Sequence, residues 1–181
     1  MSDDLSPEAS QLKAKLVQLF KSGDDAKIMS AMELLASLDD SDTSQQVRES
    51  IIELDVSECE SMTDVDALKG LVNLEYLRLC DCESLENIDG LKGLVNLEKL
   101  VFEGCSSVTN VDALSGLVNL EELWLEECDA LEDLKGLAGL ENLDWLNLVG
   151  CSSLPTTWQT IFDTQEACAK LREKIANGQY E

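Results

Sequence analysis

The chain contains no histidine, and its 13 lysines and arginines face 37 aspartates and glutamates. Without an imidazole, neither a Ser-His-Asp nor a Cys-His arrangement can be assembled. The commonest protein partner of zinc is missing for the same reason. The shortage of cations leaves a formal charge of −24. Phosphate contacts need a basic face, so the sequence argues against nucleic acid and against anionic membranes as partners. Long apolar runs are absent too, because charges interrupt every leucine-rich stretch, and no membrane span is expected. No glycine-rich phosphate loop stands out. The opening MSDDLSPEASQLKAK lacks the basic and then apolar order of a secretory signal. The expectation from these absences is a cytoplasmic, non-enzymatic chain with no cofactor and no metal.

What is abundant is leucine, and it recurs on a fixed period. Leu54, Leu77, Leu100, Leu123 and Leu146 are spaced by 23 residues each time. A constant period of this length signals a stacked array. The units run Leu54–Tyr76, Leu77–Lys99, Leu100–Glu122 and Leu123–Trp145, and a fifth starts at Leu146 and breaks off near Pro155. Each opens on Leu-x-Leu, the alternation of a half-buried strand. Each then carries apolar residues three apart, which suits a short 3₁₀ or helical turn. Asp66, Asp89 and Asp112 stand just ahead of that turn, where a capping carboxylate is expected. Gly70, Gly93, Gly116 and Gly139 fall where the backbone is expected to bend or to approach a neighbour. Asn73, Asn96, Asn119 and Asn142 precede the next strand and are expected to bond their own backbone.

Five of the seven cysteines, Cys59, Cys82, Cys105, Cys128 and Cys151, follow the same period. One thiol per layer gives a single-file inward ladder that cannot converge on one ion. Reduced thiols touching loop backbone are the expectation. Disulfides along the ladder would distort the stack. Cys80 falls on an outward column, either as a reactive group or as an ordinary surface cysteine. Cys168 belongs to a C-terminal helix.

Leu74-x-x-Leu77-x-Leu79-x-x-Cys82-x-x-Leu85 resembles the leucine-rich-repeat signature in its cysteine-containing form. The following LxGLxNL run is similar to the short-turn class of protein-phosphatase regulatory subunits and internalins, and the GCSSV and GCSSL strings at 104–108 and 150–154 to repeats of plant immune receptors. The resemblance covers roughly residues 51–155. It implies an α/β solenoid, a short right-handed superhelix with a parallel concave sheet, and a role in binding other proteins.

The domain reading that follows is a helical N-terminal cap over 1–50, repeats over 51–154 and a C-terminal cap helix within 155–181. Residues 6–38 read as two amphipathic helices, opened by Ser6-Pro7-Glu8 and split at Ser22-Gly23-Asp24. Thr43–Ile52 reads as a third helix or a lead-in to the first strand. A separate docking role for the first helices stays open. Past Pro155, Trp158, Ile161 and Phe162 are expected to close the last layer. Thr164–Asn177 reads as a helix ending before Gly178, with fraying beyond it.

The leucine register assigns the outward side chains. One column is Glu53, Tyr76, Lys99, Glu122 and Trp145. The next is Asp55, Arg78, Val101, Trp124 and Asn147, and a third contains Glu103 and Glu126. Two of the three tryptophans and one of the two tyrosines therefore face outward. An aromatic centre with a charged rim is the composition of a protein-binding hot spot. The competing reading is that the rings only stack across strands. A cation–π contact from Arg78 is a further expectation. The repeat segment alone carries −18 of the net charge, which suits either solubility or a basic partner steered in by charge. The function expected is an interaction module for a protein or peptide with a basic surface. The alternative is an acidic inhibitor of a basic enzyme such as a nuclease. The string LKGLVNLE, repeated at 68–75 and 91–98, also leaves open an array built to a consensus.

Overall fold

The computed structural model describes residues 5–179. The first four residues, part of the expected N-terminal cap, and the last two, where fraying was expected, lie outside that range.

Three helices come first: α1 (Pro7–Phe20), α2 (Asp25–Ala36) and α3 (Asp42–Ser50). Each starts on a side chain that accepts from the backbone three residues on. Ser6 accepts from Ala9, Asp24 from Lys27 and Ser41 from Ser44, satisfying donors that the first turn leaves orphaned. Helix α1 packs on α2, α3 and the first strand, and α2 packs on the first 3₁₀ turn.

Five three-residue strands follow at the repeat period: β1 (Glu53–Asp55), β2 (Tyr76–Arg78), β3 (Lys99–Val101), β4 (Glu122–Trp124) and β5 (Trp145–Asn147). They pair in parallel and in register, so that Leu54, Leu77, Leu100, Leu123 and Leu146 form one inward row. All five are buried, with at most 6% exposed. Short 3₁₀ turns at Asp66–Leu68, Asp89–Leu91, Asp112–Leu114 and Lys135–Leu137 form the back of the coil. This is an α/β solenoid, and one continuous core of leucine, valine and cysteine runs its length.

The expected capping carboxylates are corrected by the structure. Asp66, Asp89 and Asp112 are the first residues of their turns, and no side-chain cap bond is made there. The capping oxygen comes from two residues upstream. Asp64, Asn87, Asn110 and Asp133 accept from the backbone N–H of residues 66, 89, 112 and 135 at 2.8–3.2 Å. These are Asx turns, which need a short side chain at that offset. The asparagines before the strands are also corrected. Asn73, Asn96, Asn119 and Asn142 bond the previous coil and not their own backbone. Each Nδ2 donates to a carbonyl 24 residues earlier, at Glu49, Val72, Val95 and Val118, over 2.8–2.9 Å.

The cysteine ladder is a second cross-coil device. Cys82, Cys105, Cys128 and Cys151 donate their thiols to the carbonyls of Val56, Leu79, Phe102 and Leu125, at 2.8–3.3 Å. Cys59 has no earlier coil beneath it, and Asp25 of α2 supplies the acceptor at 2.9 Å. Hydrogen bonds from the Cys59 thiol first and from Ser61 next hold the Asp25 carboxyl below its ordinary range. All seven cysteines are buried and unpaired.

Burial pushes the Cys128 thiol up from 9.0 to about 12 and the Cys151 thiol to about 11. A group whose pKa is raised by folding adds stability below its unfolded pKa, and that contribution fades as pH rises toward the folded value. The urea midpoints of wild type and Cys128→Ala are therefore expected to converge in alkali, by about 2 kcal/mol near pH 10.5. Midpoints whose separation does not change with pH would show that the thiol is not held in its neutral form.

The backs of the coils associate in twos. Among the described residues, isolated bridges join Asp64 to Asn87 and Asn110 to Asp133. Val65 N–H donates to the Asn87 carbonyl, and Val111 N–H to that of Asp133, both at 3.3 Å. Glycine permits it. The turn positions at this period are Ala67, Gly90, Ala113 and Gly136. A Cβ on Gly90 would lie 1.9 Å from the Val65 carbonyl oxygen, and one on Gly136 would lie 1.9 Å from that of Val111.

At the far end the chain departs from the repeat. Strand β6 (Ile161–Phe162) pairs antiparallel with β5, and α4 (Gln165–Ala176) follows. Trp158 is 2% exposed and Phe162 half-buried, but Ile161 is 44% exposed. Ile161 does not close the layer as expected, because β6 runs along the sheet edge and turns that side chain outward.

Candidate functional site: the concave sheet

The parallel register places Glu53, Tyr76, Lys99, Glu122 and Trp145 side by side, and next to them Asp55, Arg78, Val101, Trp124 and Asn147. Three-residue strands leave two outward positions each, so this small sheet is mostly side chain. Its centre is aromatic. The Trp124 and Trp145 rings stack with centroids 5.5 Å apart and planes inclined by 30°. Both residues are half-buried.

The cation on this aromatic face is Lys99, not the expected Arg78. Lys99 Nζ lies 5.6 Å from the centroid of the Trp124 ring and 2.6 Å from Glu122 Oε2. The same carboxylate oxygen accepts Trp124 Nε1–H at 3.5 Å. Arg78 is engaged elsewhere, 3.7 Å from Asp55 and donating to Cys80 Sγ at 3.2 Å. The register could have shown this. Lys99 is opposite Glu122, one diagonal from Trp124, whereas Arg78 is opposite Val101.

Three outward assignments are corrected. Val101 is 8% exposed and Asn147 is 2% exposed. Val101 sits in register between Arg78 and Trp124, whose larger side chains shield it. Asn147 pairs with Ile161 of β6. Its amide donates to Glu126 at 3.0 Å, and its oxygen accepts Val149 N–H at 3.0 Å. Cys80 is 2% exposed, so it is neither an ordinary surface cysteine nor an open reactive one. Glu53, Asp55 and Glu103 are exposed, and Tyr76, Arg78, Lys99, Glu122 and Glu126 are partly so.

Val149, on the same outward column as Glu103 and Glu126, is 37% exposed beside the tryptophan strands. The sequence reading passes over one feature. Val72, Val95 and Val118, 44–51% exposed, form an apolar stripe at the repeat period ahead of β2, β3 and β4. Their signal is the apolar residue in the x position of LxNL.

Among the described residues, no group of cysteine and carboxylate side chains is arranged to hold a metal ion. No helix among them is long and apolar enough to cross a membrane.

No protein-family profile matches the chain, and neither does any curated protein. Solved structures do. Internalin C2 of Listeria monocytogenes superposes with a TM-score of 0.52 at 22% identity, over 77% of this chain and 65% of that one. A second internalin of the same organism, InlF, gives 0.44 at 21%, over 79% and 47%. The leucine-rich-repeat domain of the type III effector XopL gives 0.42 at 14%, over 83% and 73%. The chain thus spans less than two thirds of the length of either internalin. At these identities the likeness is one of fold, that of the leucine-rich repeat.

Proposed function

We propose that this leucine-rich-repeat chain is a non-enzymatic interaction module that grips a protein or peptide on its concave sheet. The observation that carries the reading is the stacked Trp124–Trp145 pair, half-buried on the outward face while leucines fill the inward one. Trp145 Nε1 is buried with no hydrogen-bond partner, a donor whose desolvation the folded chain leaves uncompensated. Large aromatics in this half-covered state, rimmed by Glu103, Glu122 and Glu126, have the make-up of an interface centre. The excess of carboxylates supports a basic partner attracted at long range. Thiols that serve as donors throughout the core support a reducing compartment such as the cytoplasm.

The test is panning a library of short random peptides against wild type and the Trp124→Ala/Trp145→Ala variant. Wild type is expected to enrich peptides that the variant binds at least about thirtyfold more weakly, the scale of a hot spot. The variant is expected to lose no more than about 2 kcal/mol of stability, since each ring is only half-buried. Peptides held equally by both proteins, or a variant that unfolds, would place the rings among the structural residues.

A further inference from the structure

We propose that Lys99 is an internal stand-in for a cation of the partner. The seat it occupies on Trp124 and Glu122 takes an arginine side chain of the bound chain, and Lys99 sets how tightly that arginine is held. The inference rests on the concave sheet being the docking face. It adds what docks there and which residue governs it.

The seat has the parts a cation requires. The Trp124 ring offers a π face, and the Trp145 ring stacks against it. Glu122 supplies the counter-charge and also accepts Trp124 Nε1–H at 3.5 Å. The site is occupied, because the Lys99 ammonium lies 2.6 Å from that carboxylate and 5.6 Å from the ring centre. The occupant is held loosely. The Lys99 and Glu122 side chains are 37% and 41% exposed, and a water-exposed pair of this kind contributes little. The lysine stem is flexible and can swing away, whereas a guanidinium stacks flat on indole and grips a carboxylate with two donors. An arriving arginine therefore gains both contacts and displaces a weaker holder of each. Glu103 and Glu126 on the adjoining column keep the approach negative. The other cation on this face, Arg78, is committed to Asp55 and Cys80.

The test uses hexa-arginine and its neutral isostere hexa-citrulline as probes. Both are titrated at one ionic strength against wild type, Lys99→Met, Lys92→Met and Lys99→Met/Trp124→Ala, and followed by calorimetry. Lys92 lies on the back of the coil, paired with Asp89, so its variant changes net charge equally without touching the seat. Hexa-arginine is expected to bind Lys99→Met about tenfold more tightly than wild type or Lys92→Met, to lose that gain in Lys99→Met/Trp124→Ala, and to outbind hexa-citrulline throughout. Equal tightening in Lys99→Met and Lys92→Met would reduce the effect to net charge and overturn the proposal. So would a gain shared by hexa-citrulline, or no binding of hexa-arginine at all. Library peptides that need both tryptophans but bind wild type and Lys99→Met alike would leave the docking face standing and remove Lys99 from its control.

Discussion

Gly90→Ala is expected to cost about 3 kcal/mol, the upper range for a methyl forced into a filled space. The added carbon would sit 1.9 Å from the Val65 carbonyl oxygen, 2.4 Å from its carbon and 2.9 Å from Asp66 N. All three are backbone atoms, held by the bridge between Asp64 and Asn87, so no side chain can swing aside. Relief requires the two coils to part. Gly136→Ala meets the same obstacle at Val111 and should behave alike. Gly116→Ala provides the contrast, with open space around the added carbon. There the only change is a stiffer unfolded chain, worth a few tenths of a kcal/mol in favour of folding. Urea midpoints for the three variants decide the matter. A Gly90→Ala protein as stable as Gly116→Ala would show that the backs of the coils need not nest.

Trp158→Ala is expected to lose about 3–5 kcal/mol, the scale for removing a buried aromatic. Trp158 is 2% exposed and joins the same buried cluster as Leu148, Leu154, Leu171 and Ile175. It lies where the repeat stops, so its ring fills volume that the leucines of a further coil would otherwise fill. A solenoid whose end is opened exposes the whole cross-section of its core. Thermal or chemical denaturation compares this variant with Trp124→Ala and Trp145→Ala. The three tryptophans should separate into one whose loss is felt in stability and two whose loss is felt in binding. A Trp158→Ala protein with wild-type stability would mean that α4 and β6 close the end without it.

The period of the leucines and cysteines carried the architecture because a solenoid has one rule repeated. Strand positions, the inward row and the thiol ladder all follow from it. Local inference failed where the partner of a side chain lies one coil away. Asn73 and its equivalents were assigned to their own backbone because sequence neighbours were the only candidates in view, yet their acceptors lie 24 residues back. The capping residue was misplaced by two positions, because an aspartate ahead of an apolar turn is a good cap by composition, and Asx geometry is invisible until the turn is built. On the concave face the register ordered the columns correctly. It could not foresee that crowding would shield Val101, or that Asn147 would be drawn into bonds with Glu126 and Val149. Strand β6 had no signal at all, being two residues long and antiparallel in an otherwise parallel sheet.

The alternation of alanine and glycine on the back of the coil gives the array a grain that its front does not show. From the sheet side every layer is equivalent. From behind, the layers come as doublets joined at 64 and 87 and again at 110 and 133, with a seam between them. The smallest length of chain that can be spliced in or cut out while leaving every coil in a doublet is two periods. A single coil inserted at the seam would face neighbours on both sides with no partner of its own.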